Sequence, residues 1–187
     1  MPSEGMLWWG VAVAMLVSFF SLGASIEQAP VLSYGNVSYG EMWNYTGAGY
    51  SFAFPDDDIY YNLTGLVAGD LRNFSFTNAA QALGGSYLTA HVGGVYSVNA
   101  HMTAQGSVAG GEYGFGIAKN FIMQRDCYVQ MTGSTAHDPR AISCILVLQA
   151  GDTVNLQMDD EAFPTKAIVI HTVNLNVVRL ERVSGII

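Results

Sequence analysis

In residues 95–104, VYSVNAHMTA, the side chains of Tyr96, Val98, Ala100 and Met102 share one face, and polar or smaller residues take most of the other. A period of two marks a strand with one buried face, because successive side chains of a strand point to opposite sides of its sheet. The same alternation recurs at residues 59–63 (IYYNL), 71–77 (LRNFSFT), 86–92 (SYLTAHV) and 153–158 (TVNLQM). Residues 37–45 and 121–131 supply two more candidate strands, 141–149 (AISCILVLQ) a mostly apolar one, and 166–181 (KAIVIHTVNLNVVRLE) a long final one. In 112–118, EYGFGIA, Tyr113, Phe115 and Ile117 lie on one face and Gly114 and Gly116 on the other. A glycine-bearing face predicts close approach of another backbone. Turn signals separate the segments at 47–49, 55–58, at Gly93 and Gly94, at Gly110 and Gly111, at Gly151 and Asp152, and at the acidic stretch 159–161 before Pro164. No amphipathic helical pattern interrupts them. Short strands at intervals of roughly 8 to 15 residues predict an all-β antiparallel sandwich of about eight to ten strands, with a jelly roll the best fit in size.

The chain opens differently. Residues 5–26, GMLWWGVAVAMLVSFFSLGASI, carry no charge between Glu4 and Glu27. As a helix this stretch would span about 33 Å at roughly 1.5 Å per residue, close to the roughly 30 Å core of a bilayer. Trp8 and Trp9 fall near one end, as interfacial aromatics do. Gly10, Ala14 and Ser18 recur every fourth residue, a small-residue stripe that lets helices pack closely. Three readings stand side by side: a membrane helix, a hydrophobic helix buried in a protein shell or other assembly, and a signal peptide cleaved after Ala24. The leading MPSEG has no Lys or Arg and the apolar run exceeds an ordinary signal core, which weighs against the third. The predicted organisation is a hydrophobic N-terminal helix at 1–28, acting as membrane or assembly anchor, followed by a jelly-roll domain at 29–187.

Composition narrows the function. Half of the 187 residues are hydrophobic and only 12% are charged, against roughly 25% in average soluble proteins. So much of the surface is expected to be covered, by lipid or by other chains. The formal net charge is −8, and the first basic residue is Arg72. A nucleic-acid binder needs a basic patch to displace counterions from phosphates, so no nucleic-acid partner is expected. For the same reason membrane orientation is not readable, since the positive-inside rule needs Lys or Arg near the span.

Catalytic signatures are missing: there is no Gly-Xaa-Ser-Xaa-Gly elbow, phosphate-binding loop or dinucleotide fingerprint before a helix. The expectation is a non-enzyme without cofactor. His91 and His101 lie on neighbouring predicted strands, but no His-Xaa-His pair or carboxylate pattern completes a metal site among His91, His101, His137 and His171. The acidic stretches 56–58 and 159–161 cluster carboxylates as calcium sites do, yet they lack EF-hand spacing and suit ordinary turns; no metal site is assigned. Cys127 and Cys144, 17 apart on two predicted strands, fit either a disulfide or two buried thiols. Asn36, Asn44, Asn62 and Asn73 head four sequons, candidate N-glycosylation sites if the chain crosses a glycosylating compartment.

The stretch GGVYSVNAHMTAQGSVAGGEYGFGIAKN resembles the central strands of C1q/TNF-like jelly rolls, in which a Gly-Xaa-Tyr-Xaa-Val-like strand precedes an alternating partner ending in a Lys-Asn turn. LVLQAGDTVNLQMDD resembles the same superfamily's strand, Gly-Asp turn and strand, and HTVNLNVVRLE stands where those domains have their last strand. SYGEMWNYTGAG is similar to the opening of C1q-like modules in phage and marine viral structural proteins. The resemblance covers roughly residues 38–181. It implies a homotrimer with apolar strand faces packed about a three-fold axis. It also implies a non-enzymatic virion-associated structural protein, anchored by its N-terminal helix and decorating the particle or contacting a host-surface ligand. Alternatives are a cellular membrane-anchored binding or adhesion module, with the β-domain outside the cytoplasm, and an accessory subunit of a larger membrane complex. Modules of this kind usually follow a collagen-like or coiled-coil stalk; here an uncharged helix takes that place.

Overall fold

The computed structural model describes residues 37–56, 59–106, 111–132, 136–161 and 167–180. The hydrophobic segment at 1–28, with its Gly10, Ala14 and Ser18 stripe, and the sequon at Asn36 lie outside them. The described compact unit begins at Val37. No helix among the described residues is long and apolar enough to cross a membrane.

Among the described residues eleven strands follow in order: β1 (Tyr39–Ala53), β2 (Tyr61–Asn62), β3 (Val67–Arg72), β4 (Phe74–Asn78), β5 (Ser86–Ala90), β6 (Gly94–Gly106), β7 (Glu112–Lys119), β8 (Ile122–Thr132), β9 (Asp138–Leu148), β10 (Thr153–Asp160) and β11 (Ala167–Arg179). One sheet has the order β3-β1-β11-β6-β9 and the other β4-β5-β10-β7-β8, with β2 pairing β10 beyond the end of β5. Every ladder is antiparallel. The result is an all-β jelly-roll sandwich.

Its core is the sum of the inward-facing alternate residues. Tyr96, Val98, Ala100 and Met102 of β6 are buried, as are Tyr113, Phe115 and Ile117 of β7. They meet Met42, Phe52, Leu88, Leu156, Met158, Val173 and Leu175 in one cluster. Tyr96 takes its hydroxyl into this core by donating to the Val92 carbonyl, 2.6 Å away, so the burial leaves no donor unpaired.

The sandwich is held at both sides. On one, β3 and β4 are edge strands of different sheets joined by Asn73 alone, which turns the corner with φ 59°. Asn tolerates this left-handed conformation better than most residues. On the other, Cys127 of β8 and Cys144 of β9 form a disulfide that ties the two opposite edges, with their Cα atoms 5.6 Å apart. At one end, the Lys-Asn and Gly-Asp turns singled out in the sequence become one device. Lys119 Nζ lies 2.9 Å from Asp152, Asn120 Nδ2 donates to the same carboxylate at 2.8 Å, and the Thr153 N–H donates to Asn120 Oδ1 at 2.8 Å.

Three local expectations are corrected. The glycines at 47–49, expected to form a turn, sit inside β1, because its ladder with β11 resumes beyond an irregularity between Tyr45 and Tyr50. Residues 71–77, expected as one strand, divide at Asn73 between the two sheets. The glycine face of β7 is closed by side chains at Gly114, where a Cβ would overlap Asp159 Oδ1 and Tyr128 Oη, whereas at Gly116 a Cβ would overlap Met123 Sδ and also stand 3.0 Å from the Cys127 backbone carbonyl.

Candidate interaction face

The outward residues of the five-stranded sheet form a broad face. Paired rows cross it: Tyr39, Val178, Ser97 and Ile145; then Glu41, Asn176, Asn99 and Ser143; then Trp43, Asn174, His101 and Ala141. Along β1, β11, β6 and β9 the outward register holds a single formal charge, Glu41, and the β3 edge adds Asp70 and Arg72, the latter level with Tyr39. The Glu41 charge is tied down, since Asn174 Nδ2 donates to it at 3.1 Å. Asn176 in turn donates to Asn174 Oδ1 at 2.7 Å. Around this amide ladder stand apolar side chains still open to solvent: Trp43 at 40%, Tyr45 at 69%, Ile145 and Val147 at 58%, Val95 at 42% and Val178 at 39%. Low charge with exposed aromatics and aliphatics is the composition of an interface core rather than of a solvated sheet.

The other sheet faces outward with a different chemistry. Asn155, Gln157 and Asp159 of β10 alternate with core residues and yet are buried. Asn62 covers the first two, accepting from Asn155 Nδ2 at 2.6 Å and Gln157 Nε2 at 2.9 Å. Tyr128 covers the third, its hydroxyl 3.1 Å from Asp159 Oδ1 and hydrogen-bonded also to Glu161. Burial pushes the Asp159 carboxyl up to about 6; the Tyr128 hydrogen bond opposes this and the Glu161 charge adds to it. Burial, then hydrogen bonding to Glu161, likewise drives the Tyr128 hydroxyl upward. Asp152 moves the other way, to about 2, because Asn120, the Gln149 N–H and Lys119 all stabilise its charged form. A carboxyl whose titration is moved towards neutrality is a candidate for proton transfer. However, Asp159 lies against the space left by Gly114 and under Tyr128, whose ring stacks edge-on with Tyr60. Among the described residues no three His, Cys, Asp or Glu side chains gather as a metal site.

The sequence-predicted residues scatter. Cys127 and Cys144 line a cleft of about 400 Å³ at the β8–β9 edge, with Arg125, Asp126 and Ser143 among its other walls. Asn44 Nδ2 donates to the Gly65 carbonyl at 2.7 Å, Asn62 sits in the β10 network, and Asn73 Nδ2 donates to Ser38 Oγ at 3.1 Å. His91 and His101 do not meet. His91 bonds Ser75 at 3.1 Å at the end of β5, while His101 stands on the outer face of the opposite sheet. Sequence reasoning missed the contact that does form, a stack of His137 on His171.

No protein-family model matches the chain, and no curated protein matches it in sequence. Solved structures do match in three dimensions. The Eiger TNF of S. frugiperda superposes with a TM-score of 0.53 at 12% identity, covering 81% of this chain and 99% of its own. The globular domain of zebrafish complement 1qA gives 0.50 at 13%, covering 78% and 98%. The PRD1 vertex protein P5 gives 0.50 at 17%, covering 77% and 97%. The fold is therefore the TNF/C1q-like jelly roll, as the sequence resemblance implied. At these identities the likeness is one of fold, and function has to be argued from surfaces.

Proposed function

We propose that this chain is a non-enzymatic structural or binding module that joins its own copies into a homotrimer through the outer face of the five-stranded sheet. The observation that carries this is the composition of the outer face: the outward register of β1, β11, β6 and β9 bears one formal charge, Glu41, which the Asn174 amide holds, while Asp70 and Arg72 stand apart on the β3 edge. A charge-poor apolar face on a chain with 12% charged residues fits burial at the centre of a closed ring of identical copies. In such a trimer the loops at the sheet ends stay outward, free to meet a ligand. The place of action is a virion surface, with the N-terminal segment as anchor. The viral-type opening around residues 38–49 and the fold shared with a PRD1 vertex protein support this. A cell-surface binding module is the second reading, favoured by the Cys127–Cys144 link, which suits an oxidising compartment.

The test is sedimentation equilibrium of the full chain in mild detergent, with Trp43→Glu and Ile145→Asp. Each buries a charge at the centre or margin of the face, and each should shift the trimer towards monomer while circular dichroism still shows a folded β-domain. Two folded variants that sediment like the wild type would remove this face from assembly.

A further inference from the structure

The pleat of β11 changes phase once. Ile168 and Ile170 point into the core, and so do Val173, Leu175 and Val177, so one residue has been inserted between the two sets. That residue is His171. It has no partner in the ladder with β6, where Ile170 pairs Ala104 and Thr172 pairs Thr103. On its other side β1 also departs from register, between Tyr45 and Tyr50. Bulges of this kind bend a strand and re-aim one side chain, and they gather beside functional sites.

The surroundings have made room for this ring. Gly49 passes it with φ +73°, and a Cβ at that position would stand 3.1 Å from His171 Nδ1 and Cε1 while overlapping Val169. From the segment before β9, His137 lays its ring on His171 with centroids 4.0 Å apart and planes 32° from parallel. Yet His171 Nε2 is buried with no hydrogen-bond partner, and so are the hydroxyls of Thr46, Tyr50 and Thr172 along the same irregular stretch. A buried imidazole nitrogen left without a partner costs stability, and native structures seldom leave one so without a use for it.

We propose that His137 and His171 are the protein ligands of a binding site for a divalent first-row transition ion, with water completing the coordination. Imidazole nitrogens suit copper, nickel and zinc and do not suit calcium or magnesium, which take oxygen ligands. The ion would take up the unmet His171 nitrogen, and because imidazole lone pairs lie in the ring plane, the exposed His137 would turn out of the stack to point a nitrogen at it. With two protein ligands the site ranks ions by intrinsic affinity, copper above nickel and zinc. The inference stands apart from the trimer, because uptake is counted per chain.

The experiment uses the full chain without a polyhistidine tag, titrated with copper(II), nickel(II) and zinc(II) against a coloured chelator. One ion per chain is expected, copper the tightest, with no competition from calcium. His137→Gln and His171→Gln should each weaken binding at least about tenfold, the loss associated with disturbing a metal ligand's support or more, whereas His91→Gln, at the end of β5, should leave it unchanged. Since His137 is exposed, its variant decides the matter even if His171→Gln misfolds. No uptake by the wild type, uptake unaffected by His137→Gln, or equal loss with His91→Gln would each overturn the proposal.

Discussion

Reducing the Cys127–Cys144 bond should loosen one side of the sandwich by an amount its sequence separation sets. The two cysteines are 17 residues apart, on β8 and β9, the outermost strands of different sheets on the same side. In the chain-entropy account, cross-linking a loop of this size removes about 10 cal/mol/K from the unfolded ensemble, or about 3 kcal/mol at 25 °C. The opposite side needs no such link, because Asn73 carries the chain directly from β3 to β4. Urea unfolding followed by circular dichroism, with and without reductant, reads the difference. At a slope of about 2 kcal/mol/M the midpoint should fall by about 1.5 M. Hydrogen exchange should show the extra opening in β8 and β9 and leave the β3–β4 corner unchanged. The reasoning fails if mass spectrometry confirms two free thiols and the midpoint has not moved, or if the corner opens first.

Two other perturbations read the buried stripe. Gly114→Ala places a methyl where Asp159 and Tyr128 meet, and overpacking of this kind costs about 1–3 kcal/mol; a thermal midpoint equal to wild type would contradict that closure. Asp159 binds its proton more tightly in the folded chain, at about 6 against an ordinary 3.8. The folded state therefore holds the extra proton between these values, and stability should fall as pH rises through that window, by on the order of 2 kcal/mol. Asp159→Asn should flatten that slope. Asp152, lowered to about 2, acts in the opposite sense: its contribution is present above pH 4 and is lost as pH falls towards 2.

Much of this architecture is legible in residue pattern, because burial of one face imposes a period of two. Tyr96, Val98, Ala100 and Met102 form the buried row that their spacing predicts. The phase change at His171 is also written in the chain, as Ile168 and Ile170 against Val173, Leu175 and Val177, but it appears only when the alternation is followed across the break. Asn73 is harder, since its only mark in the sequence is a slip of phase between Leu71 and the pair Phe74 and Phe76, while one positive φ moves the strand from sheet to sheet. Glycine at 114 signals space without saying what fills it; tertiary packing supplies Tyr128 and Asp159. The interaction face is less legible still. Trp43, Ile145 and Asn174 read as ordinary strand residues, and only the strand order brings them to one charge-poor surface. The histidine stack joins residues 34 positions apart in different strands' approaches, which no local spacing announces.

Self-association through that surface is the central property proposed for this chain. Native mass spectrometry of the full chain, released gently in detergent, tests it most directly. A dominant mass of three identical copies is the predicted result. A single copy at all concentrations, or one copy bound to different subunits, would contradict it.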